Sequence, residues 1–133
     1  MNLNPQIWGP HAWFFIESCI MAYPNNPNDN EKQKMKEFLN LLQYILPCEK
    51  CRYNYSNHLK QYPLTDIILS NKDKLLEWSI NIHNLTNNNN LTIDSVLKYY
   101  NNKYNTNNNN NSLYLFIIII FILLFILYNK YKK

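Results

Sequence analysis

Residues 47–51 read Pro47-Cys48-Glu49-Lys50-Cys51, and the predictions for the rest of the chain follow from this stretch. A C-x-x-C pair that opens a helix places both sulfurs on the first turn, close enough for a disulfide, where unpaired backbone N–H groups stabilise a thiolate. Half of a zinc site and a chance pair are the alternatives. Zinc would need two more ligands, and there is no second C-x-x-C and no H-x₃₋₅-H. The remaining candidates are Cys19, His11, His58 and His83. The spacing therefore favours a redox dithiol.

Helical patterns punctuated by Pro and Asn surround this pair. The predicted helices start near residues 9, 28, 48, 70 and 92, and the first three end near 22, 46 and 62. Apolar residues at spacings of three and four give the second helix a core-facing side. Glu17 lies on the apolar face of the first helix, where a carboxylate is unusual and either lies at the rim or meets a polar ligand. We therefore predict an all-α fold, a bundle of four to five helices.

The last fifth of the chain is different in composition. Residues 113–128 read LYLFIIIIFILLFILY, without a polar interruption other than tyrosine, and the basic segment 129–133 follows. As a helix these sixteen residues reach roughly 24 Å, and Ser112, Asn129 and the terminal lysines extend them toward a ~30 Å hydrocarbon core. We predict a domain at 1–104, an Asn-rich flexible linker at 105–112, a transmembrane helix at 113–128 and a basic tail at 129–133. A buried core helix is the alternative.

The charge balance argues against nucleic-acid binding. The chain has 13 Lys and Arg against 9 Asp and Glu, a net charge of +4, and Lys130, Lys132 and Lys133 supply three of these units. The preceding part is nearly neutral. It has no basic stripe and no glycine-rich phosphate loop, since Gly9 is the one glycine of the chain.

Four motifs together resemble the flavin-dependent Erv/ALR sulfhydryl oxidases over about residues 5–104. In chain order they are Trp8-Gly9-x₃-Trp13, Tyr23-Pro24, Pro47-Cys48-x-x-Cys51 and Trp78-x₄-His83-Asn84-x-x-Asn87. The chain looks most like the compact forms from large DNA viruses. This resemblance implies that the helical bundle encloses FAD.

The resemblance also implies the site. Cys48 and Cys51 would be catalytic, with Cys51 nearest the flavin ring and Cys48 facing the substrate. The residues expected to bind FAD are Trp8, Gly9, Pro10, His11, Trp13, Glu17, Tyr23, His83, Asn84 and Asn87. No metal is expected. Many members have a histidine where this chain has Glu17, which leaves the role of that position open.

The implied function is an FAD-linked thiol oxidase that forms disulfide bonds in partner proteins. The substrate would be a thioredoxin-like or small dithiol protein, and the electrons would pass through the cysteine pair to FAD and then to O₂, giving H₂O₂. Family members commonly pair as dimers, so a homodimer is implied too. Two alternatives remain from the residues themselves: a membrane-anchored dithiol adaptor without flavin, and a zinc-stapled helical interaction module.

Residues 1–10 lack a charged n-region and an apolar h-region, so we expect no signal peptide. We predict a single-pass, tail-anchored protein whose enzyme domain faces the cytosol, at a virion or viral-factory membrane. The sequon Asn84-Leu85-Thr86 supports this topology, because a glycan there would obstruct the cofactor. The terminal lysines argue for the opposite orientation under the positive-inside rule.

Overall fold

The computed structural model describes residues 3–131, with side chains except at 106–113, 126 and 130, and all regular elements in that range are helices. They are α1 Pro5–Met21, α2 Asp29–Ile45, α3 Glu49–Gln61, a 3₁₀ helix Ile68–Ser70, α4 Lys72–Asn87 and α5 Ile93–Tyr131. The chain divides after Ile93 into two compact units. The predicted all-α fold is confirmed.

Local capping explains where the first two helices begin. The Oδ1 of Asn4 accepts the N–H of Gln6 at 3.0 Å, so α1 starts at Pro5, one turn before the predicted start, and Pro10 lies inside the helix. In α2, Asn28 and Glu31 form a capping box, with side chain to backbone distances of 3.0 and 2.8 Å. Both ends follow from residues within one turn.

The core of the first unit forms where α1 packs against α4 and α2 packs against α3. Its buried apolar residues include Ile16, Ile20, Leu39, Leu42, Leu59, Leu75, Leu76 and Ile82. Burying one such aliphatic side chain contributes about 1.5–3 kcal/mol. Two aromatic residues join helices through their polar atoms: the Tyr55 hydroxyl donates to the Leu39 carbonyl at 3.0 Å, and the Trp78 indole N–H donates to the Tyr62 carbonyl at 2.9 Å.

The start of α4 differs from the prediction. Asn71, not Ser70, is the N-cap, and its Oδ1 accepts the N–H of Lys74 at 3.0 Å. Ser70 belongs to the preceding 3₁₀ helix, where its hydroxyl donates to the Ile67 carbonyl at 2.7 Å. The Ser70 hydroxyl is therefore engaged within the 3₁₀ helix, and the next residue, Asn71, caps α4 instead.

Helix α5 is continuous from Ile93 to Tyr131 and includes the backbone of residues 105–112, for which the sequence predicted a linker. Asn costs a helix at most roughly 0.7 kcal/mol per residue relative to Ala, so an Asn tract does not by itself end one. Among the residues that the structure describes, no helix has an apolar stretch long enough to cross a membrane. Positions 113 and 126 of the predicted span have side chains outside that description. The division into linker, span and tail stays a prediction.

Candidate functional site

The two cysteines of the C-x-x-C pair form a disulfide at the start of α3. Cys48 is the N-cap of the helix, and its Sγ accepts the backbone N–H of Cys51 at 3.1 Å. Unpaired N–H groups of a first helical turn carry partial positive charge. A thiolate at Cys48 would therefore be stabilised by α3 itself.

The connection from α2 to Cys48 is held from both sides. The backbone N–H of Leu3 donates to the Pro47 carbonyl at 2.9 Å, and the Arg52 guanidinium donates to the Leu46 carbonyl at 2.6 Å. In this arrangement Cys48 is buried and Cys51 half-buried. The resemblance implied the reverse, with Cys48 the accessible member. The difference has a local cause, because an N-cap side chain folds back over its own helix end.

A cavity of about 660 Å³ lies beside the disulfide and is lined by residues from the four α-helices of the first unit. The residues that line it are Pro5, Gln6, Trp8, Gly9, Pro10, Ala12, Trp13 and Ile16 from α1, Leu42 and Leu46 from α2 and its end, Cys48, Lys50, Cys51, Asn54 and Tyr55 at α3, and Thr86, Asn87 and Asn89 at the end of α4. Both cysteines thus share one cavity with two tryptophans and several side-chain amides.

The structure brings a large part of the predicted site to this cavity. The predicted residues that line it are Trp8, Gly9, Pro10, Trp13, Cys48, Cys51 and Asn87. A Cβ added at Gly9 would meet no protein atom within 4 Å, so the glycine leaves bare helix backbone next to open space. Pro10 has no N–H, so the Gln6 carbonyl lacks the hydrogen bond that residue 10 of a helix would otherwise donate to it.

Glu17 and His83 do not line the cavity, but His83 contacts Trp13, which does. Glu17 is 3% exposed, and its Oε1 lies 2.7 Å from Nδ1 of His83. The imidazole in turn stacks on the indole of Trp13, with ring centroids 4.1 Å apart and planes 5° from parallel. The unusual carboxylate on the apolar face of α1 therefore meets a side chain of α4.

Three other predicted residues also lie away from the cavity. Tyr23 is buried, and its hydroxyl donates to the Leu69 carbonyl at 3.0 Å. Burial raises the pKa of the Tyr23 phenol, and the charge of Glu31 raises it further. The Asn84 side chain donates to the Leu91 carbonyl at 3.0 Å and accepts the Leu91 N–H at 2.8 Å, which closes the loop after α4. His11 is exposed.

Several lining residues were not predicted. Asn54 and Tyr55 follow Cys51 by three and four positions, so the helical stripe through the cysteines could have identified them. Burial raises the pKa of Tyr55, whose phenol remains a donor to the Leu39 carbonyl. Lys50 is the only charged residue among the described residues that line the cavity. Gln6 and Asn89 carried no comparable signal, because the packing of the helix ends decides their place.

The third cysteine does not line this cavity, and the zinc alternative concerns the grouping of possible metal ligands. Cys19 is a half-buried free thiol on α1, and burial raises its pKa, so it stays protonated at neutral pH. Across the part of the chain that the structure describes, no three or more His, Cys, Asp or Glu residues are grouped so that they could hold a metal ion.

Comparison with known proteins adds to this geometry. The sequence pattern of the Erv1/Alr family matches residues 10–105. A probable FAD-linked sulfhydryl oxidase of Acanthamoeba polyphaga mimivirus is 44% identical over 85 residues, which are 64% of this chain and 59% of that protein. The mitochondrial FAD-linked sulfhydryl oxidase ERV1 of Saccharomyces cerevisiae is 28% identical over 79 residues, 59% of this chain and 40% of the yeast protein. An FAD-linked sulfhydryl oxidase of African swine fever virus is 31% identical over 82 residues, 61% of this chain and 66% of the viral protein. The chain thus spans between two fifths and two thirds of the length of these relatives.

Proposed function

This chain belongs to the Erv1/Alr family, and we propose that it is an FAD-linked sulfhydryl oxidase that forms disulfide bonds in partner proteins. The observation that carries the proposal is the Cys48–Cys51 disulfide in the wall of a cavity of about 660 Å³. Relatives named FAD-linked sulfhydryl oxidases support the same activity.

The residues that line the cavity fit FAD. Its volume lies within the range of roughly 300–1,000 Å³ that is usual for ligand and cofactor sites. Trp8 and Trp13 supply flat apolar surface for a ring system, and the bare backbone at Gly9 leaves room beside them. The side-chain amides of Asn54 and Asn87 supply donors and acceptors. Lys50 supplies a positive charge for a diphosphate. These residues would hold the cofactor, with the disulfide on the same wall.

The cysteine pair would carry out the thiol chemistry. A thiolate of the partner attacks the Cys48 sulfur, the Cys48–Cys51 bond breaks, and Cys51 leaves as a thiolate. The second partner thiolate then attacks the partner sulfur of this mixed disulfide, and Cys48 leaves. The N–H of Cys51, 3.1 Å from Cys48 Sγ, stabilises that leaving thiolate. The partner has lost two electrons and the pair Cys48 and Cys51 has gained them. Bound FAD supplies the acceptor for these electrons and the route to O₂, which becomes H₂O₂.

We propose the partner class that the resemblance to the compact viral forms implies. The 133 residues contain three cysteines, of which Cys19 is a half-buried thiol, so no second pair within them relays electrons to Cys48–Cys51. We infer that a thioredoxin-like or small dithiol protein reaches the pair directly. Cys48 is buried, so the segment between α2 and α3 must move before a partner thiolate can attack the Cys48 sulfur.

We further propose that residues 113–128 anchor the protein in a membrane, with the enzyme domain in the cytosol, at a virion or viral-factory membrane. The support is the apolar run itself and the exposure of the described side chains between Tyr114 and Tyr128. A homodimer remains a further prediction, supported by exposed apolar residues such as Ile7, Phe15 and Leu41 on α1 and α2. A monomeric mass by light scattering would contradict it.

The test is the visible spectrum and the oxygen consumption of the purified full chain. We expect a yellow protein with about one FAD per chain that consumes O₂ and produces H₂O₂ when a dithiol is added. Removal of the flavin should abolish turnover and lower the melting temperature, because a ligand that binds only the folded state stabilises it. Added FAD should restore both. A folded, colourless protein that takes up no FAD would leave the dithiol adaptor as the function.

A further inference from the structure

The carboxylate of Glu17 and the rings of His83 and Trp13 form a connected group, here called the Glu17–His83–Trp13 stack. Trp13 and Glu17 are one turn apart on α1, so their side chains project from the same side of that helix. His83 enters from α4 and contacts both, through a 2.7 Å polar contact and a parallel ring contact at 4.1 Å. Of the three, only Trp13 lines the cavity.

Each contact in the stack removes a degree of freedom. A carboxylate can only accept a hydrogen bond, so Nδ1 of His83 carries the hydrogen that it donates to Glu17. This bond stops the imidazole from turning about its own axis. The fixed imidazole covers one face of the Trp13 indole, with 5° between the planes. The plane of the Trp13 indole, which lines the cavity, is thus fixed by the His83 ring that stacks on it.

The cost of this arrangement indicates that it has a role beyond packing. A carboxylate that is 3% exposed loses nearly all of its hydration, and an apolar residue at the same position would avoid that loss. A buried ion pair or charged hydrogen bond therefore adds little net stability over apolar residues of similar volume. What it does add is a defined geometry, because the hydrogen bond is directional and apolar packing is not.

We propose that Glu17 is a positioning residue for the flavin site, which acts through His83 to fix the plane of Trp13. The proposal rests on the proposed function, since it takes the cavity to hold FAD. It assigns Glu17 no contact with the cofactor. The same contact also aligns α4 with α1, and Asn87, one turn after His83, lines the cavity.

The experiment is a titration of FAD into the flavin-free full chain, followed by flavin fluorescence at a temperature where every variant is folded. In Glu17→Leu we expect roughly tenfold weaker binding of FAD, the lower end of what loss of an outer hydrogen-bond partner costs a metal site. Glu17→Gln keeps a carbonyl oxygen that can accept from Nδ1, so its affinity should fall by no more than about threefold. If Glu17→Gln binds FAD as weakly as Glu17→Leu does, the hydrogen-bond explanation is contradicted.

A second variant separates positioning from stability. Glu17→Leu/His83→Leu removes both partners of the 2.7 Å contact together, so neither is left buried without the other, and it should recover the melting temperature of the flavin-free wild type. We expect its affinity for FAD to remain about tenfold weak, because Trp13 has lost the ring that fixes its plane. Wild-type affinity in this double variant, or in Glu17→Leu, would overturn the proposal.

The matched control is Glu37→Gln, which alters an exposed carboxylate of α2 that accepts from Gln33 and Lys34. Its affinity for FAD should equal that of the wild type. If the wild type itself binds no FAD, the proposed function fails. If the wild type binds FAD and the Glu17 variants bind it equally well, only the positioning role fails.

Discussion

The Cys51 N–H, 3.1 Å from the sulfur of Cys48, gives the two cysteines unequal surroundings although they lie within one helical turn. Cys48 is the N-cap, and its sulfur already accepts a backbone hydrogen bond, so a thiolate is best stabilised there. Cys51 lies inside the helix, is half-buried and has no such donor assigned to its sulfur among the hydrogen bonds described. The structure therefore favours Cys48 as the sulfur that leaves in the resolving step.

Serine substitutions should separate these two roles. We expect Cys48→Ser and Cys51→Ser each to lower oxygen consumption with a dithiol protein by at least about 100-fold, because either change removes the disulfide. When Cys51→Ser is mixed with the oxidised, disulfide form of the partner, the Cys48 thiolate attacks that disulfide and one partner thiolate leaves. A mixed disulfide between Cys48 and the partner should then accumulate, since no Cys51 thiol remains to displace it. Non-reducing electrophoresis and mass spectrometry measure that species.

Cys19→Ser is the control for these two variants and should retain most of the activity. Burial raises the pKa of Cys19, so its reaction with an alkylating reagent should need a higher pH than that of an ordinary exposed thiol. Loss of activity in folded, flavin-loaded Cys19→Ser would contradict the packing role of Cys19. A mixed disulfide between the partner and Cys51, instead of Cys48, would contradict the roles given to the pair.

At the scale of elements, side chains at the helix ends connect the helices to other segments of the chain. Tyr23, just after α1, bonds to Leu69 of the 3₁₀ helix, and Asn84 near the end of α4 bonds twice to Leu91. Asn88 ends α4 in the left-handed region, with φ of 53°, which Asn tolerates better than most residues. These contacts hold the helices whose faces line the cavity.

Tyr23→Phe tests whether Tyr23 acts through this contact. The buried Leu69 carbonyl would lose its donor, so the free energy of unfolding should fall by roughly 1–3 kcal/mol. The affinity for FAD of the folded protein should not change. Because the pKa of Tyr23 is raised above its usual value near 10, the contribution of this bond should persist through neutral pH and disappear only as the pH rises through that raised pKa.

Urea denaturation of the flavin-free protein at several pH values, together with an FAD titration, measures both effects. Tyr53→Phe, which alters an exposed tyrosine of α3, is the matched control. A tenfold weaker affinity for FAD with unchanged stability would instead make Tyr23 a direct part of the flavin site.

At the scale of the whole molecule, the proposed membrane anchor follows the compact first unit in the chain. The first unit carries the cavity and the disulfide, and it ends at Ile93, before the apolar run. Asn54, which begins a second sequon, Asn54-Tyr55-Ser56, lines the cavity, and Asn84 is bonded to Leu91. A glycan on either asparagine would therefore compete with contacts of the folded domain. This supports a domain that never enters a glycosylating compartment.

We expect the full chain to remain with membranes after extraction at alkaline pH, and a variant that ends at residue 112 to be released while it still binds FAD. In intact membranes, added protease should digest the enzyme domain, because the proposed topology places that domain in the cytosol. Protection of the domain from protease, or a glycan on Asn54 or Asn84, would contradict the proposed cytosolic orientation. A full chain released by alkaline extraction would remove the anchor from the proposal.

The sequence alone determined the features that depend on neighbours within a turn or two. These features are the helical class, the start of α2 near Asn28, the end of α1 near Tyr23 and the placement of a dithiol at a helix start. All of them follow from local spacing and hydrogen bonding. The cap of α4 was displaced by one residue, because the hydroxyl of Ser70 was used in the 3₁₀ helix.

Only the tertiary structure decided which side chains from distant parts of the chain meet. Glu17 and His83 are 66 positions apart, and nothing in the local pattern of either helix predicts a 2.7 Å contact between them. The same holds for Gln6 and Asn89, which the start of α1 and the end of α4 bring to one cavity. The physical reason is that helix periodicity fixes the face on which a residue lies, whereas the packing of α1 against α4 and of α2 against α3 fixes what that face contacts.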